Sequence, residues 1–240
     1  MNWLLEPSVS TFGPDIDRLY YIILVITGII FLLTQFLLIY FLIKYRRRDG
    51  RKAEYTHGST RAEILWTAIP FVIVLGLALI SRPVWDQIKD PGLFPEDAYE
   101  VVVMARQFEW ETHYAGSNGE FDAEDSFTVL NRLHVPVNRP VIVHLESEDV
   151  IHSFFVPRFR LKQDALPGRS IPMWFEVTEP GEYELGCAEL CGIGHYRMDG
   201  MVIVHTQEEF EDWKAERLTA AGGGTAEPEE AQALTGEDSQ

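Results

Sequence analysis

The hydrophobic residues are spread unevenly along the chain. From Leu19 to Tyr45 it is almost continuously Ile, Leu, Val, Phe and Tyr, broken only by Thr27, Gly28, Thr34, Gln35 and Lys44. At about 1.5 Å rise per residue, a helix of this length crosses a hydrocarbon core of roughly 30 Å. A second apolar run, Ile64 to Ile80, continues amphipathically through Val84 and Trp85 and contains Pro70, which a membrane helix tolerates. The pattern predicts a two-helix transmembrane hairpin. Lys44, Arg46, Arg47, Arg48, Arg51 and Lys52 lie between the spans and place that loop on the cytoplasmic side. The N-terminus and everything after Trp85 then lie outside. Met1 to Glu6 lacks a basic n-region and no small-residue cleavage site follows, so this start reads as uncleaved. A buried hairpin in a soluble protein fits neither the span length nor the basic loop.

After Pro91 the period changes to short β-branched and aromatic runs punctuated by Gly, Pro, Asn and Asp. Strands are predicted over 99–110, 126–130, 140–145, 150–156, 170–177, 181–185 and 201–205. Seven short strands with frequent turns indicate an all-β Greek-key sandwich or barrel. A terminal helix over Gln207 to Leu218 closes it. The expected organisation is a hairpin over residues 1–90, a β domain over 91–218 and a tail over 219–240. The tail holds five acidic residues, no basic one, and mostly Ala, Gly, Pro and Gln, and it is expected to be disordered.

The 240 residues carry a formal charge of −17, the wrong sign for a nucleic-acid partner. The acidity suits a basic partner, or a soluble domain kept apart by self-repulsion. Only two cysteines occur, Cys187 and Cys191, and no C-x-x-C-H run, so no covalently attached haem is expected on this chain.

Both cysteines fall in a motif, Cys187-x3-Cys191-x3-His195-x2-Met198. Two thiols, an imidazole and a thioether within twelve residues favour copper over magnesium or calcium. One Cys would suit a mononuclear blue-copper centre, whereas two can bridge a pair of copper ions. A pair needs a second terminal nitrogen, for which His152, in an apolar strand, is the best donor. Met198 would be a weak axial ligand to one ion and the Glu189 carbonyl a ligand to the other. Two alternatives stand beside this reading: a disulfide, the default for two cysteines outside the cytoplasm, and a zinc site of two Cys and two His that leaves Met198 unused.

With Asp149-Val150-Ile151-His152-Ser153-Phe154, Val156-Pro157, Lys162-Gln163-Asp164-Ala165-Leu166-Pro167-Gly168-Arg169 and Cys187-Ala188-Glu189-Leu190-Cys191-Gly192, the chain resembles cytochrome c oxidase subunit II from about Phe12 to His205. The resemblance implies a cupredoxin-like domain holding a binuclear CuA centre on His152, Cys187, Glu189 (carbonyl), Cys191, His195 and Met198. It also implies that the Glu189 carboxylate reaches a magnesium ion shared with subunit I. Glu63, in Glu63-Ile64-Leu65-Trp66, is similar to the family's glutamate at the cytoplasmic mouth of a proton path, although Thr60 to Glu63 also reads as a helix capping box. Gln107-Phe108-Glu109-Trp110 resembles the family's Gln-Trp-x-Trp patch where electrons enter, with Phe108 in place of the first tryptophan. Leu185-Gly186 stands where Gly-Gln is common.

The implied function is electron relay in a respiratory terminal oxidase of the cell membrane. CuA takes electrons from a cytochrome c-like donor and passes them to haem in subunit I, where O2 becomes water with proton translocation. Partners are subunit I, other oxidase subunits, the donor and membrane lipid. Glu109, Glu111, Glu146, Glu148 and Asp149 are candidates for steering a basic donor. Rival readings are a quinol oxidase subunit II, which lacks the copper ligands, a membrane-anchored copper carrier, and a nitrous-oxide reductase copper domain.

Overall fold

The computed structural model describes residues 4–52 and 55–222, which divide into residues 15–86 and residues 4–14 with 87–222. Most of the acidic tail lies outside the described residues.

The first unit holds two long helices, α1 (Gly13–Lys44) and α2 (Thr60–Lys89). Both extend past the apolar runs that predict them. Pro14 and Asp15 open α1, a proline fitting the first turn and an acid complementing the helix dipole. At α2 the side chain of Ser59 accepts from the Ala62 N–H at 3.4 Å, so the cap falls one residue before the expected Thr60. That leaves Glu63 beyond the position a capping box would use. Pro70 and Pro83 both sit inside α2. Leu32, Phe36, Leu42, Phe71, Val74 and Leu79 are exposed, an apolar surface of the kind a bilayer covers.

The second unit is the expected sandwich, with ten strands in place of seven: β1 (Tyr99–Arg106), β2 (Glu109–Tyr114), β3 (Phe127–Leu130), β4 (Arg132–Pro136), β5 (Val141–Ser147), β6 (His152–Val156), β7 (Leu161–Ala165), β8 (Ile171–Phe175), β9 (Gly181–Cys187) and β10 (Asp199–His205). One sheet runs β3-β2-β1-β5-β8 and the other β4-β10-β9-β6-β7. Parallel pairs β1–β5 and β4–β10 interrupt otherwise antiparallel ladders, giving the non-sequential order of a Greek key. The run expected as one strand over 99–110 is a hairpin, because the chain reverses at Gln107-Phe108 and pairs Arg106 with Glu109.

Alternation along the strands builds the core. Val101, Val103 and Ala105 of β1, Trp110 and Tyr114 of β2, and Val141, Val143 and Leu145 of β5 face inward from the first sheet. Leu133, Val135, Phe154, Val156, Leu185, Val202 and Val204 meet them from the second. Each large apolar side chain removed from water contributes roughly 1.5–3 kcal/mol. The N-terminal segment joins this unit. Val9 and Phe12 are buried, Ser10 bridges Val177 in antiparallel fashion, and Phe12 meets Trp174 edge-on at 5.8 Å.

Helix α3 (Gln207–Gly222) runs four residues beyond its expected end at Leu218, so the start of the expected tail is helical. A capping box opens it: Thr206 accepts from the Glu209 N–H, and the Glu209 carboxylate accepts from the Thr206 N–H at 3.0 Å. It buries Phe210 and stacks Trp213 on His134, ring centroids 4.1 Å apart and nearly parallel.

His134 Nδ1 lies 2.8 Å from His205 Nε2. Burial, then the proximity of His205, Arg132 and Arg217, holds His134 down to about 3. An unfolded histidine titrates near about 6.5, so between these values the unfolded chain binds more protons than the folded one. This contribution is complete above about 6.5 and is lost as pH falls toward about 3. We therefore expect the denaturant midpoint of the chain to drop as the solution is acidified through this window. His134→Phe, which keeps a ring against Trp213, should flatten that part of the profile.

Candidate metal centre

The sandwich delivers the candidate ligands from three strand ends. His152 is the first residue of β6, Cys187 the last of β9, and Met198 immediately precedes β10. Phe154 of β6 pairs with Cys187 of β9, so the loop 187–198 starts beside the strand that carries His152. Backbone bonds close the loop: Cys187 N–H donates to Met198 O at 3.1 Å, Ala188 N–H to Ser153 O at 2.9 Å, and His195 N–H to Gly192 O at 3.1 Å.

The two sulfurs stand 3.9 Å apart. A disulfide needs about 2.05 Å, whereas two thiolates on one tetrahedral metal at about 2.3 Å lie roughly 3.8 Å from each other. Both cysteines are free. His152 Nδ1 lies 3.1 Å from Met198 Sδ and 4.0 Å from Cys187 Sγ. Met198 Sδ is 3.7 Å from Cys191 Sγ. These four donors make one cluster. A second shares the sulfurs: His195 Nδ1 lies 3.7 Å from Cys191 Sγ, and the Glu189 carbonyl 3.2 Å from Cys187 Sγ. His152 is fully buried, Cys191 and Met198 nearly so.

The electrostatics suit a cation. Burial opposes ionisation of Cys187, but contacts from His152 and the backbone of Glu189 and Ser153 outweigh it and lower that thiol. Burial and the charge of Cys187 push Cys191 the other way. Two thiolates this close need positive charge between them, and soft sulfur with imidazole is a copper-type donor set. His152 Nε2 lies 2.8 Å from Asp149 Oδ1. With Nε2 as the donor, Nδ1 presents its lone pair to the sulfurs, the arrangement in which a carboxylate orients a ligating imidazole. Burial alone would raise Asp149, yet bonds from His152, Val150 and Gln107 hold it below the usual carboxylate range.

Sequence reasoning placed Gln107 in the electron-entry patch but gave it no role in holding the cluster. Its side chain donates to the Cys191 carbonyl at 2.5 Å and its backbone N–H to Asp149 at 2.8 Å, tying the β1–β2 turn to both halves of the cluster. The ring of the following Phe108 packs closely against the loop at Gly192 and Gly194. A Cβ at Gly194 would come within 2.4 Å of the Phe108 ring, and one at Gly192, where φ is +140°, within 2.7 Å of Gln107 Nε2. Trp110 is fully buried, its ring 6.3 Å from that of His152 and 5.6 Å from that of Phe154. Of the two aromatics expected where electrons enter, only Phe108 reaches the surface. The Glu189 side chain is exposed, as is that of Glu63 in the first turn of α2. Around the turn, Arg106 pairs with Glu109 at 2.6 Å and with Glu111, with Glu148 at 3.9 Å.

Gly194→Ala should force the Phe108 ring off the loop, costing about 1–3 kcal/mol as overpacking does. Bound copper per chain and thermal stability should both fall, and Phe108→Ala in the same chain should restore them.

Known proteins resemble the chain over both of its halves. The family model described as the periplasmic domain of cytochrome c oxidase subunit II matches residues 101–206, and that described as its transmembrane domain matches residues 1–84. Cytochrome c oxidase subunit 2 of Synechocystis sp. is 32% identical over 97% of this chain and 79% of its own length. The alternative cytochrome c oxidase subunit 2 of Bradyrhizobium diazoefficiens is 31% identical over 92% and 86%. The solved periplasmic domain of subunit II from Bradyrhizobium japonicum is 27% identical over 55% of this chain and 99% of that one, with a TM-score of 0.46. With both halves matched in order and a copper-type donor cluster at the end of its β domain, this chain belongs to the cytochrome c oxidase subunit II family, as a membrane subunit of a haem-copper oxidase that associates with other oxidase subunits.

Proposed function

We propose that this chain is the electron-receiving subunit of its oxidase, holding two copper ions on His152, Cys187, Glu189 (through its carbonyl), Cys191, His195 and Met198. The observation that carries the reading is the pair of sulfurs 3.9 Å apart with an imidazole nitrogen on either side, His152 by Cys187 and His195 by Cys191. Bound there, copper would supply one-electron chemistry, with the two sulfurs sharing the unpaired electron between the ions.

The residues around it limit rearrangement. Asp149 fixes the His152 ring, and Gln107 holds the carbonyl of Cys191. Phe108 lies on the loop glycines and shields the cluster from water on that side. A ligand set that does not move on reduction keeps the reorganisation cost of electron transfer low. Electrons would leave for haem in subunit I, where O2 is reduced to water with protons moved across the membrane. The exposed Glu189 carboxylate is free to reach a magnesium ion shared with subunit I, and Glu63 to admit protons at the cytoplasmic start of α2. Lys44 at the end of α1 and the basic Arg46, Arg47, Arg48, Arg51 and Lys52 before α2 support a cytoplasmic loop, with the β domain on the outer face.

Copper-loaded full chain should contain two copper ions and give an EPR spectrum split by both nuclei at once. Cys191→Ser should reduce this to one ion with single-nucleus splitting. A wild-type chain with one ion per chain would overturn the binuclear reading.

Glu109, Glu111 and Glu148 surround Arg106, and Asp149 accepts from the backbone N–H of Gln107, the residue before Phe108. This acidic rim supports a basic donor of the cytochrome c kind, steered over a Debye length of about 10 Å at 0.1 M salt. Donor oxidation by the oxidase should slow as ionic strength rises. Glu109→Gln with Glu148→Gln should weaken that dependence, and a rate indifferent to salt would exclude steering.

A further inference from the structure

We propose that the loop after α1 is a binding site for the phosphate group of an anionic phospholipid. Lys44, Arg46, Arg47, Arg48, Arg51 and Lys52 set six basic residues against two acids, Asp49 and Glu54, in a chain whose formal charge is −17. The loop folds back on itself. Gly50 takes a φ of +79°, Arg51 N–H donates to Arg48 O at 3.2 Å, and the Arg51 guanidinium donates to the Lys44 carbonyl at 3.2 Å. That carbonyl is one of those left over at the C-terminus of α1, so Arg51 covers the partial negative charge that would repel an anion.

The turn encloses a cavity of about 650 Å³ lined by Tyr45, Arg46, Arg47, Arg48, Arg51, Lys52 and Thr56. Among the described residues no carboxylate lines it. Among the described residues, Arg46, Arg47, Arg48 and Lys52 form no ion pair. Guanidinium groups converging on one space suit a phosphate, which they bind in bidentate fashion.

The position selects the lipid over free phosphate. The apolar stretch of α1 ends at Lys44, and Tyr40 and Tyr45 flank it with the Lys44 ammonium over both rings, at 4.9 and 5.4 Å. Tyrosines at the end of a span mark the headgroup level. A lipid phosphate is already confined to that depth, so its effective concentration far exceeds that of a phosphate ion in solution. The inference is independent of the copper site and of which face of the membrane the loop occupies.

The test uses the full chain in phosphatidylcholine nanodiscs, whose two leaflets are identical, so an inverted topology does not alter the result. Spin-labelled phosphatidylglycerol and spin-labelled phosphatidylcholine are compared by the motionally restricted fraction of their EPR spectra. Phosphatidylglycerol should be preferred by at least about fivefold, the gain expected from one basic residue at an anionic surface. The preference should shrink at high salt. It should vanish in the Arg46→Gln, Arg47→Gln, Arg48→Gln chain, persist when the same three are changed to Lys, and persist in Arg61→Gln outside the cavity. Equal restriction of the two lipids, or a preference that survives the triple Gln change, would overturn the proposal. Displacement of labelled phosphatidylglycerol by inorganic phosphate at comparable concentration would reassign the site to a soluble anion and overturn the lipid assignment.

Discussion

Everything distinctive about this chain follows from holding two cysteine sulfurs 3.9 Å apart without letting them join. Left to a flexible loop, two thiols in an oxidising compartment close to about 2.05 Å and become a crosslink. Here each is fastened to a different rigid object. Cys187 ends a strand paired on both sides, while Cys191 is pinned through its carbonyl by Gln107 from the opposite sheet. Their separation is set by the sandwich, and it matches the distance two thiolates keep across a metal. The same spacing makes the pair electrostatically incomplete, since ionising one thiol holds back the other. A positive charge between them relieves both effects, so metal binding and the local fold reinforce one another.

Asp149 extends this coupling outward. A single carboxylate accepts from the imidazole of His152, from the backbone of Gln107 and from Val150. It therefore links the buried ligand to the surface turn that carries Phe108. Loop glycines complete the contact from the other side: Gly192 and Gly194 bring the backbone so near the Phe108 ring that no side chain fits between. The half-buried Phe108, the supporting Asp149 carboxylate and the buried His152 imidazole form one continuous packed unit. A preorganised site of this sort depends on the residues around the ligands as much as on the ligands.

What could be read from sequence follows a physical division. The two spans were legible because lipid demands long apolar helices and allows few alternatives. The clustering of sulfur and imidazole donors was legible because His195 and Met198 stand at fixed offsets from the cysteines in one loop. Strand β7 was not, since Leu161-Lys162-Gln163-Asp164-Ala165 is an edge strand whose middle residues face outward and carry no apolar alternation. The β1–β2 hairpin was hidden because Gln107-Phe108 lacks the Gly or Asn that normally announces a tight turn. Trp110 and Phe108 looked alike in sequence, and the hairpin separates them, one into the core and one onto the metal loop. Gln107 and Asp149 were named for other roles and not as clamps, because a polar residue becomes a clamp only when a distant loop is folded against it.

The N-terminal segment supplies a constraint on topology that hydropathy alone does not. Val9 and Phe12 are buried in the β domain, and residues 9–11 hydrogen-bond to Arg158, Glu176 and Thr178. These bonds cannot form across a bilayer, so the start of the chain and its β domain share one side. The polypeptide between them must then cross the membrane an even number of times. A single span with the other helix lying on the surface would separate the two partners and tear out two buried apolar side chains, at about 1.5–3 kcal/mol each. Packing in the β domain thus requires α1 and α2 to behave as a pair.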